Sequence, residues 1–162
     1  MYRILCDSYV FYDPRLPDLF VFEPDLTQKK NEPGELSFTI PKEHPHYDVL
    51  EKLKSRIKVY RDDTLIWIGR AVEDERDLYE NRKVVTEGVL AFLLDSVMRP
   101  FTTDGTVAEV WAYLLTQHNA QVNPNQGLII GTCDIAGSVS ITTKDYLSRS
   151  EEHTSELQSR GL

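Results

Sequence analysis

The sequence predicts an α+β fold, mainly antiparallel β with one or two short helices. Leu36, Phe38 and Ile40 alternate with small polar residues, which is the period of a strand with one buried face. Asp62-Asp63 separates two apolar runs at the point where a hairpin turn would join them. These two patterns indicate strands that pair with their neighbours in sequence.

Most of the first hundred residues fit this interpretation. The short runs YRILC and YVFY flank an Asp7-Ser8 turn, and residues 31–34 (NEPG) are a turn signal between two extended runs. Pro41 ends the next strand because it has no N–H to donate. Further strands are predicted at residues 57–59, 65–69 and 83–88. Together they predict a meander of antiparallel strands with a helix at one end.

Helical periodicity appears twice. Residues 42–56 (KEHPHYDVLEKLKSR) place their apolar side chains on one side of a helical wheel, which predicts a short surface helix. Thr106 and Glu109 form a capping box, which predicts a second helix from Val107 to about His118. Two more short strands are predicted at residues 128–135 (LIIGTCDI) and 138–142 (SVSIT).

Composition restricts the class of protein. The 162 residues are 41% hydrophobic and 27% charged, with a formal net charge of −8, which indicates an acidic globular chain whose average field repels nucleic acid. The chain contains no apolar run of the roughly 18–20 residues that a membrane helix needs, and its start lacks the features of a secretory signal. Cys6 and Cys133 are predicted to be reduced, part-buried thiols. These features favour synthesis in a cytoplasm.

Two clusters could hold a metal ion. His44 and His46 could share a metal, but Pro45 forces an extended backbone that points its neighbours apart, so a turn is the favoured interpretation. An acidic cluster lies at Glu73, Asp74, Glu75 and Asp77, with Arg76 inside it. It lacks the alternating Asp/Asn pattern with Gly of a calcium loop, which favours a solvated face.

Two further features could bind partners. Arg56, Lys58, Arg61 and Arg70 form a modest basic set, for which ordinary surface charge is favoured over a nucleic-acid site. Trp67 lies in an apolar run and is predicted to be in the core. Trp111 could anchor a partner, but its place on the apolar stripe of the helix favours core packing. No nucleophile, phosphate-loop or metalloprotease motif is present, so no catalytic, cofactor-binding or metal-binding residue is predicted.

The order of several short motifs resembles a known family. A Gly-x-Leu-x-Phe-x-Ile-Pro strand precedes a His-Pro-x-Tyr segment, a Gly-Arg pair and a Glu-Gly-x-Leu-x-x-Leu-x-Asp-Ser segment ahead of a proline. The residues are Gly34, Leu36, Phe38, Ile40, Pro41, His44, Pro45, Tyr47, Gly69, Arg70, Glu87, Gly88, Leu90, Leu93, Asp95, Ser96 and Pro100. This pattern resembles the N-terminal region of the tail-associated lysins, or prophage endopeptidase tail proteins, of long-tailed phages. The resemblance covers about residues 1–148.

The resemblance implies a structural role. It implies a baseplate-hub-like tail-tip protein, of which three copies close the tail tube and anchor a downstream lysin or receptor-binding part. Residues 1–100 would be the β-rich hub-like domain and residues 101–148 the start of a second subdomain or insertion. The implied partners are a homotrimer, the distal tail and tail-tube proteins and the tape measure protein, with no specific nucleic acid and no membrane. The implied location is the virion tail, after synthesis in the bacterial host cytoplasm.

Two alternatives belong to other functional classes. The chain could be the front end of a peptidoglycan endopeptidase acting in phage entry, although no enzymatic site is predicted within it. It could also be a carbohydrate-binding β module, but Tyr60, Tyr79 and Phe92 are too scattered to favour one.

The last residues need a separate interpretation. Glu151, Glu152, His153 and Glu156 have a spacing that would suit a metal site or an acid/base pair. However, residues 149–159 match, codon by codon, the translation of a common short-read library adapter. Residues 149–162 are therefore expected to be a non-biological tail that follows a truncated insert, and they receive no functional role.

Overall fold

A computed structural model describes residues 1–145 of the chain. Antiparallel strands make up most of its regular structure and the helices are few, so the predicted fold class is confirmed at that level. The chain divides into two compact units, Met1–Ala91 and a second that begins at Phe92. The predicted domain limits at residues 100 and 148 stay predictions.

The first unit is one seven-stranded sheet. Its strands are β1 (Tyr2–Cys6), β2 (Tyr9–Tyr12), β3 (Phe22–Thr27), β4 (Glu35–Ile40), β5 (Arg56–Arg61), β6 (Thr64–Arg76) and β7 (Arg82–Gly88). They lie in the order β2-β1-β5-β6-β7-β4-β3, and every neighbouring pair is antiparallel. Strands β5, β6 and β7 form the predicted meander. The prediction holds only in part, because β1 pairs with β5 and β4 with β7, which are distant in sequence.

One face of the sheet forms the core. Ile4 lies opposite Val59, Val59 lies opposite Trp67, and Phe38 lies opposite Val84, and all five are buried. This register places the apolar positions of each strand on the same face, as the period of two requires. Each such side chain contributes about 1.5–3 kcal/mol through the apolar surface that it removes from water.

The sheet is strongly curled. Strands β2 and β3 stand at opposite ends of the strand order, so in a flat sheet they would lie six spacings of about 4.8 Å apart, roughly 29 Å. Tyr12 of β2 and Leu26 of β3 nevertheless line the same cleft. The two edges therefore approach each other, although no ladder joins β2 to β3 among the described residues. The result is an open barrel whose inner face is the core.

The helix predicted over residues 42–56 is wrong. Residues 42–55 form turns without a helix, and Arg56 begins β5. The guanidinium of Arg82 donates hydrogen bonds to the carbonyl oxygens of Tyr47 and Leu50, the latter at 2.9 Å. In a helix these carbonyls would instead accept the N–H groups four residues further along the chain. Leu53 adopts a left-handed conformation with φ of 63°, and its N–H donates to β6 at 2.8 Å. Contacts from outside the segment therefore override its helical pattern.

The second unit contains the predicted capped helix. Its elements are β8 (Thr102–Thr106), α1 (Val107–Asn119), a 3₁₀ turn (Pro124–Gln126) and β9 (Ser138–Thr142), and another 3₁₀ helix (Val89–Asp95) precedes them. The capping box is confirmed: Glu109 N–H donates to Thr106 Oγ1 at 3.3 Å, and Thr106 N–H donates to Glu109 Oε2 at 2.7 Å. Strands β8 and β9 form a two-stranded antiparallel sheet, which confirms the strand predicted at residues 138–142.

The strand predicted at residues 128–135 is wrong. These residues have no regular secondary structure, and the side chain of Ile129 is 94% exposed. The side-chain carboxamide of Asn119 pairs with both backbone groups of Leu128: its Oδ1 accepts the Leu128 N–H and its Nδ2 donates to the Leu128 carbonyl, each at 2.8 Å. A side chain therefore satisfies backbone groups that a strand would give to a ladder.

Candidate functional site

The histidine pair is a structural contact. The N–H of His46 donates to Nδ1 of buried His44 at 3.1 Å, so the proton of the neutral ring lies on Nε2, which donates to the carbonyl of Phe11 at 2.9 Å. Burial lowers the pKa of His44. Both ring nitrogens are occupied, so His44 ties its turn to β2 and offers no lone pair to a metal. Residues 1–145 contain no group of three or more His, Cys, Asp or Glu side chains arranged to hold a metal ion.

The acidic cluster divides between two roles. Glu73 and Glu75 are exposed, which confirms the solvated face for these two. The prediction of a solvated face is wrong for Asp74, because its carboxylate accepts two hydrogen bonds from buried Arg82, at 3.0 and 2.6 Å. Asp77 closes the β6–β7 turn.

The basic set also divides. Arg61 is exposed, and Arg56 and Lys58 are half-buried. The surface-charge interpretation is wrong for Arg70, which is buried and donates to Glu87 Oε1 from Nε at 2.8 Å, with Nη2 at 2.7 Å. Arg70 lies directly opposite Glu87 in the β6–β7 ladder, so this pair is a cross-strand contact.

Trp67 is in the core, as predicted, and three glycines surround its ring. A Cβ at Gly69 would overlap the ring, and a Cβ at Gly88 would overlap the carbonyl oxygen of Pro33. That oxygen accepts a hydrogen bond from Trp67 Nε1 at 3.4 Å. Gly34 has φ of 71°, which its turn requires. Side chains would not fit where these backbones approach the indole.

Trp111 is not in the core, so that prediction is wrong. Its side chain is 38% exposed, whereas Val110 and Leu115 of the same helix are buried. His118 of this helix, for which no local pattern predicts a role, is also buried. Its Nδ1 lies 2.8 Å from Ser96 Oγ.

Most of the residues behind the resemblance lie in the first unit, whereas Leu93, Asp95, Ser96 and Pro100 lie in the second. Leu36, Phe38 and Ile40 are core residues, and Gly34, Gly69 and Gly88 surround Trp67. The hydroxyl of Tyr47 donates to the carbonyl of Glu80. These positions determine the shape of the unit and do not converge on a reactive group.

The sheet encloses a cleft of about 500 Å³ between its two edges. Its floor is apolar, formed by buried Ile4, Leu36 and Val59. Exposed residues of its rim include Tyr2, Gln28 and Arg61. An apolar floor with a polar rim is typical of sites that bind a large apolar group. Local sequence patterns gave no signal for this cleft, because it forms only when both edges of the sheet meet.

The turn between β6 and β7 carries two exposed apolar side chains. Leu78 is 99% exposed and Tyr79 is 80% exposed. The signal for this pair was available in the sequence as two adjacent apolar residues within a run of charges.

The two cysteines are free thiols. Cys133 is part-buried as predicted, whereas Cys6 is fully buried, and this burial raises the pKa of the Cys6 thiol to about 11. A thiol with so high a pKa is a poor nucleophile at neutral pH. The predicted tail residues Glu151, Glu152, His153 and Glu156 lie outside the described residues.

Two general searches complete the description. Within residues 1–145, no helix is long and apolar enough to cross a membrane. No protein-family model and no curated protein matches this chain.

Proposed function

We propose that this chain is a structural component of the tail tip of a long-tailed phage or prophage. In this role it forms part of the baseplate-like hub that closes the tail tube, and it anchors a lysin or receptor-binding part further along the protein. One observation carries the proposal: motif residues spread from Gly34 to Gly88 meet around Trp67 in a single folded unit. Residues that must fit one another constrain a fold jointly, so their shared order and spacing is stronger support than any motif alone.

The free edges of the sheet support assembly. Within residues 1–145, β2 and β3 have no strand beyond them. Exposed edge strands are usually covered by another chain or blunted, and a closed ring of identical copies covers them without further partners. Homotrimerisation, with contacts to distal tail, tail-tube and tape measure proteins, is the assembly that this role requires.

The overall charge supports a role beside passing DNA. The chain has a formal net charge of −8, which repels the phosphate backbone on average. A wall of this sign would let DNA pass during ejection without binding it.

Light scattering of the purified chain tests the assembly. We expect a mass three times that of the 18.7 kDa chain. In parallel, antibodies raised against the chain should label the tail tip of particles from an induced lysogen in electron micrographs. Labelling of the head or of the tail shaft alone would contradict the proposal.

A zymogram separates this role from the endopeptidase alternative. We expect no clearing of cell wall by the purified chain, because the Ser96–His118 pair is buried away from any substrate and residues 1–145 hold no metal-ligand cluster. Clearing by residues 1–148 would favour the enzyme.

A further inference from the structure

The apolar tip of the β6–β7 hairpin is the most exposed hydrophobic feature of the first unit. We call Leu78 and Tyr79 the hairpin tip; they are 99% and 80% exposed. Single exposed apolar residues are ordinary on a protein surface, but two adjacent ones at the end of a long hairpin form a projecting apolar patch. Such a projection is suited to insertion into a cavity of another molecule.

The hairpin tip is held in one conformation. Asp77 Oδ1 accepts the N–H groups of Tyr79 at 2.7 Å and Asn81 at 2.9 Å, and its Oδ2 accepts Asn81 Nδ2 at 2.9 Å. The backbone of Asp77 exchanges further bonds with Asn81 and Glu80, each at 3.0 Å. A turn fixed in this way loses little conformational entropy when its side chains are bound.

The cleft between the sheet edges is complementary to the hairpin tip. Its apolar floor of Ile4, Leu36 and Val59 would cover an inserted leucine or tyrosine. Its volume of about 500 Å³ falls within the range of roughly 300–1,000 Å³ that is common for binding pockets. Arg61 provides a positive charge at the rim, whereas the turn beside the tip carries the carboxylate of Asp77; the carboxylate of Glu80 is paired with Lys42 of its own chain.

The hairpin tip cannot reach the cleft of its own chain. Ile66 at the start of β6 lines the cleft, and the tip follows Arg76 at the other end of the strand. Ten residues of extended chain separate the two ends by roughly 33 Å. Any contact between tip and cleft must therefore join two different copies.

We propose that the hairpin tip of one copy inserts into the cleft of a second copy, with Leu78 and Tyr79 covering the apolar floor and Arg61 lying beside the carboxylate of Asp77. This inference rests on the proposed function, because it supplies the contact of the proposed trimer. The contact is heterologous, since it joins two different surfaces, and such contacts form a closed ring when the rotation between copies permits. Three copies related by 120° would leave no tip and no cleft free.

Light scattering over a range of concentrations tests the contact with matched variants. The double variant Leu78→Ala/Tyr79→Ala removes the tip, and Leu16→Ala removes an exposed leucine elsewhere in the same unit. We expect trimers from the unmodified chain and from Leu16→Ala, and a dissociation constant at least about 30-fold weaker for the double variant. Far-ultraviolet circular dichroism should be the same for all three, because both tip side chains are exposed.

Mixing two defective variants tests the direction of the contact. Arg61→Glu reverses the charge at the cleft and keeps an intact tip, whereas the double variant keeps an intact cleft. We expect each to be monomeric alone and the mixture to form a dimer, because one good contact remains between them. A mixture that stays monomeric would overturn the proposal.

Photo-crosslinking locates the contact directly. With p-benzoylphenylalanine in place of Tyr79, we expect crosslinks to residues that line the cleft of another copy, such as Ile4, Leu36 or Val59. Crosslinks elsewhere, or trimers that persist in the double variant, would refute the tip–cleft contact and leave a trimeric hub intact. An unmodified chain that is monomeric at every concentration would instead contradict the proposed trimer itself, and the contact with it.

Discussion

Replacing Arg82 with alanine should destabilise the first unit more than any other single charge removal in it. Arg82 is only 5% exposed, and its guanidinium makes contacts that no other residue supplies. It donates to Asp74 at 3.0 and 2.6 Å, to the carbonyl of Leu50 at 2.9 Å and to that of Tyr47. It also lies 5.4 Å from the centre of the Tyr47 ring. These contacts hold the irregular segment of residues 42–56 against the sheet.

The magnitude follows from the groups left behind. Removing one partner of a buried charge pair typically costs about 3–5 kcal/mol, because the other charge stays desolvated. Each carbonyl that loses a charged donor adds about 1–3 kcal/mol unless water replaces it. Asp74 is partly accessible and Tyr47 is half-buried, whereas Leu50 is buried, so water offsets only part of this loss. We therefore expect Arg82→Ala to lower the free energy of unfolding by about 4 kcal/mol, a large fraction of the about 5–15 kcal/mol of a typical domain.

Urea unfolding followed by the fluorescence of Trp67 measures this loss. The experiment uses a Trp111→Phe background, so that the signal reports the first unit alone. Arg82→Lys keeps the positive charge but not the planar guanidinium with its several N–H donors, so its loss in the free energy of unfolding should lie between zero and that of Arg82→Ala. Lys83→Ala, at an exposed lysine of the same sheet, should change stability by less than about 0.5 kcal/mol. A loss below about 1 kcal/mol for Arg82→Ala, or strict additivity of Arg82→Ala and Asp74→Ala in a double variant, would refute this account.

Three other substitutions test separate contacts. Burial lowers the pKa of His44 below its ordinary value of about 6.5, so the unfolded state binds more protons than the folded state as the pH falls through 6.5. The urea concentration at the unfolding midpoint should therefore fall between pH 7.5 and 5.5, and it should fall less in the His44→Gln variant. Gly88→Ala forces a Cβ against the carbonyl of Pro33, so it should lower the free energy of unfolding by about 1–3 kcal/mol and shift the fluorescence emission of Trp67 to the red. An unchanged melting temperature would contradict this packing. Thr106→Ala removes the N-cap of α1 and should lower helix stability by about 1 kcal/mol, seen as faster amide exchange in its first turn, whereas Thr106→Asp should retain protection.

Elements fixed by nearby residues could be predicted from the sequence. The capping box of α1 depends on residues three apart, and the Asp62-Asp63 turn depends on the two residues between β5 and β6. The buried face of β4 depends on alternation within six residues. In each case the interacting groups lie within one turn or one strand, so local patterns are sufficient.

Elements fixed by distant residues could not be predicted. The guanidinium that prevents a helix at residues 42–56 reaches Tyr47 from 35 positions along the chain. The burial of Arg70 depends on β7 placing Glu87 opposite it, and the cleft depends on two edges that are far apart in strand order. Register and curvature decide these features, and neither can be derived from a single segment.

In the proposed trimer, folding and assembly depend on different residues. Gly34, Gly88 and Trp67 fit one another inside the sheet, so their joint presence specifies a shape but offers nothing to a partner. Leu78 and Tyr79 contact solvent almost completely, so the folded monomer gains little from them. Apolar side chains held outward on a rigid turn lower solubility unless another surface covers them. A chain that keeps the glycines and replaces the tip should therefore fold normally and fail to assemble, whereas Gly88→Ala should lose both properties together.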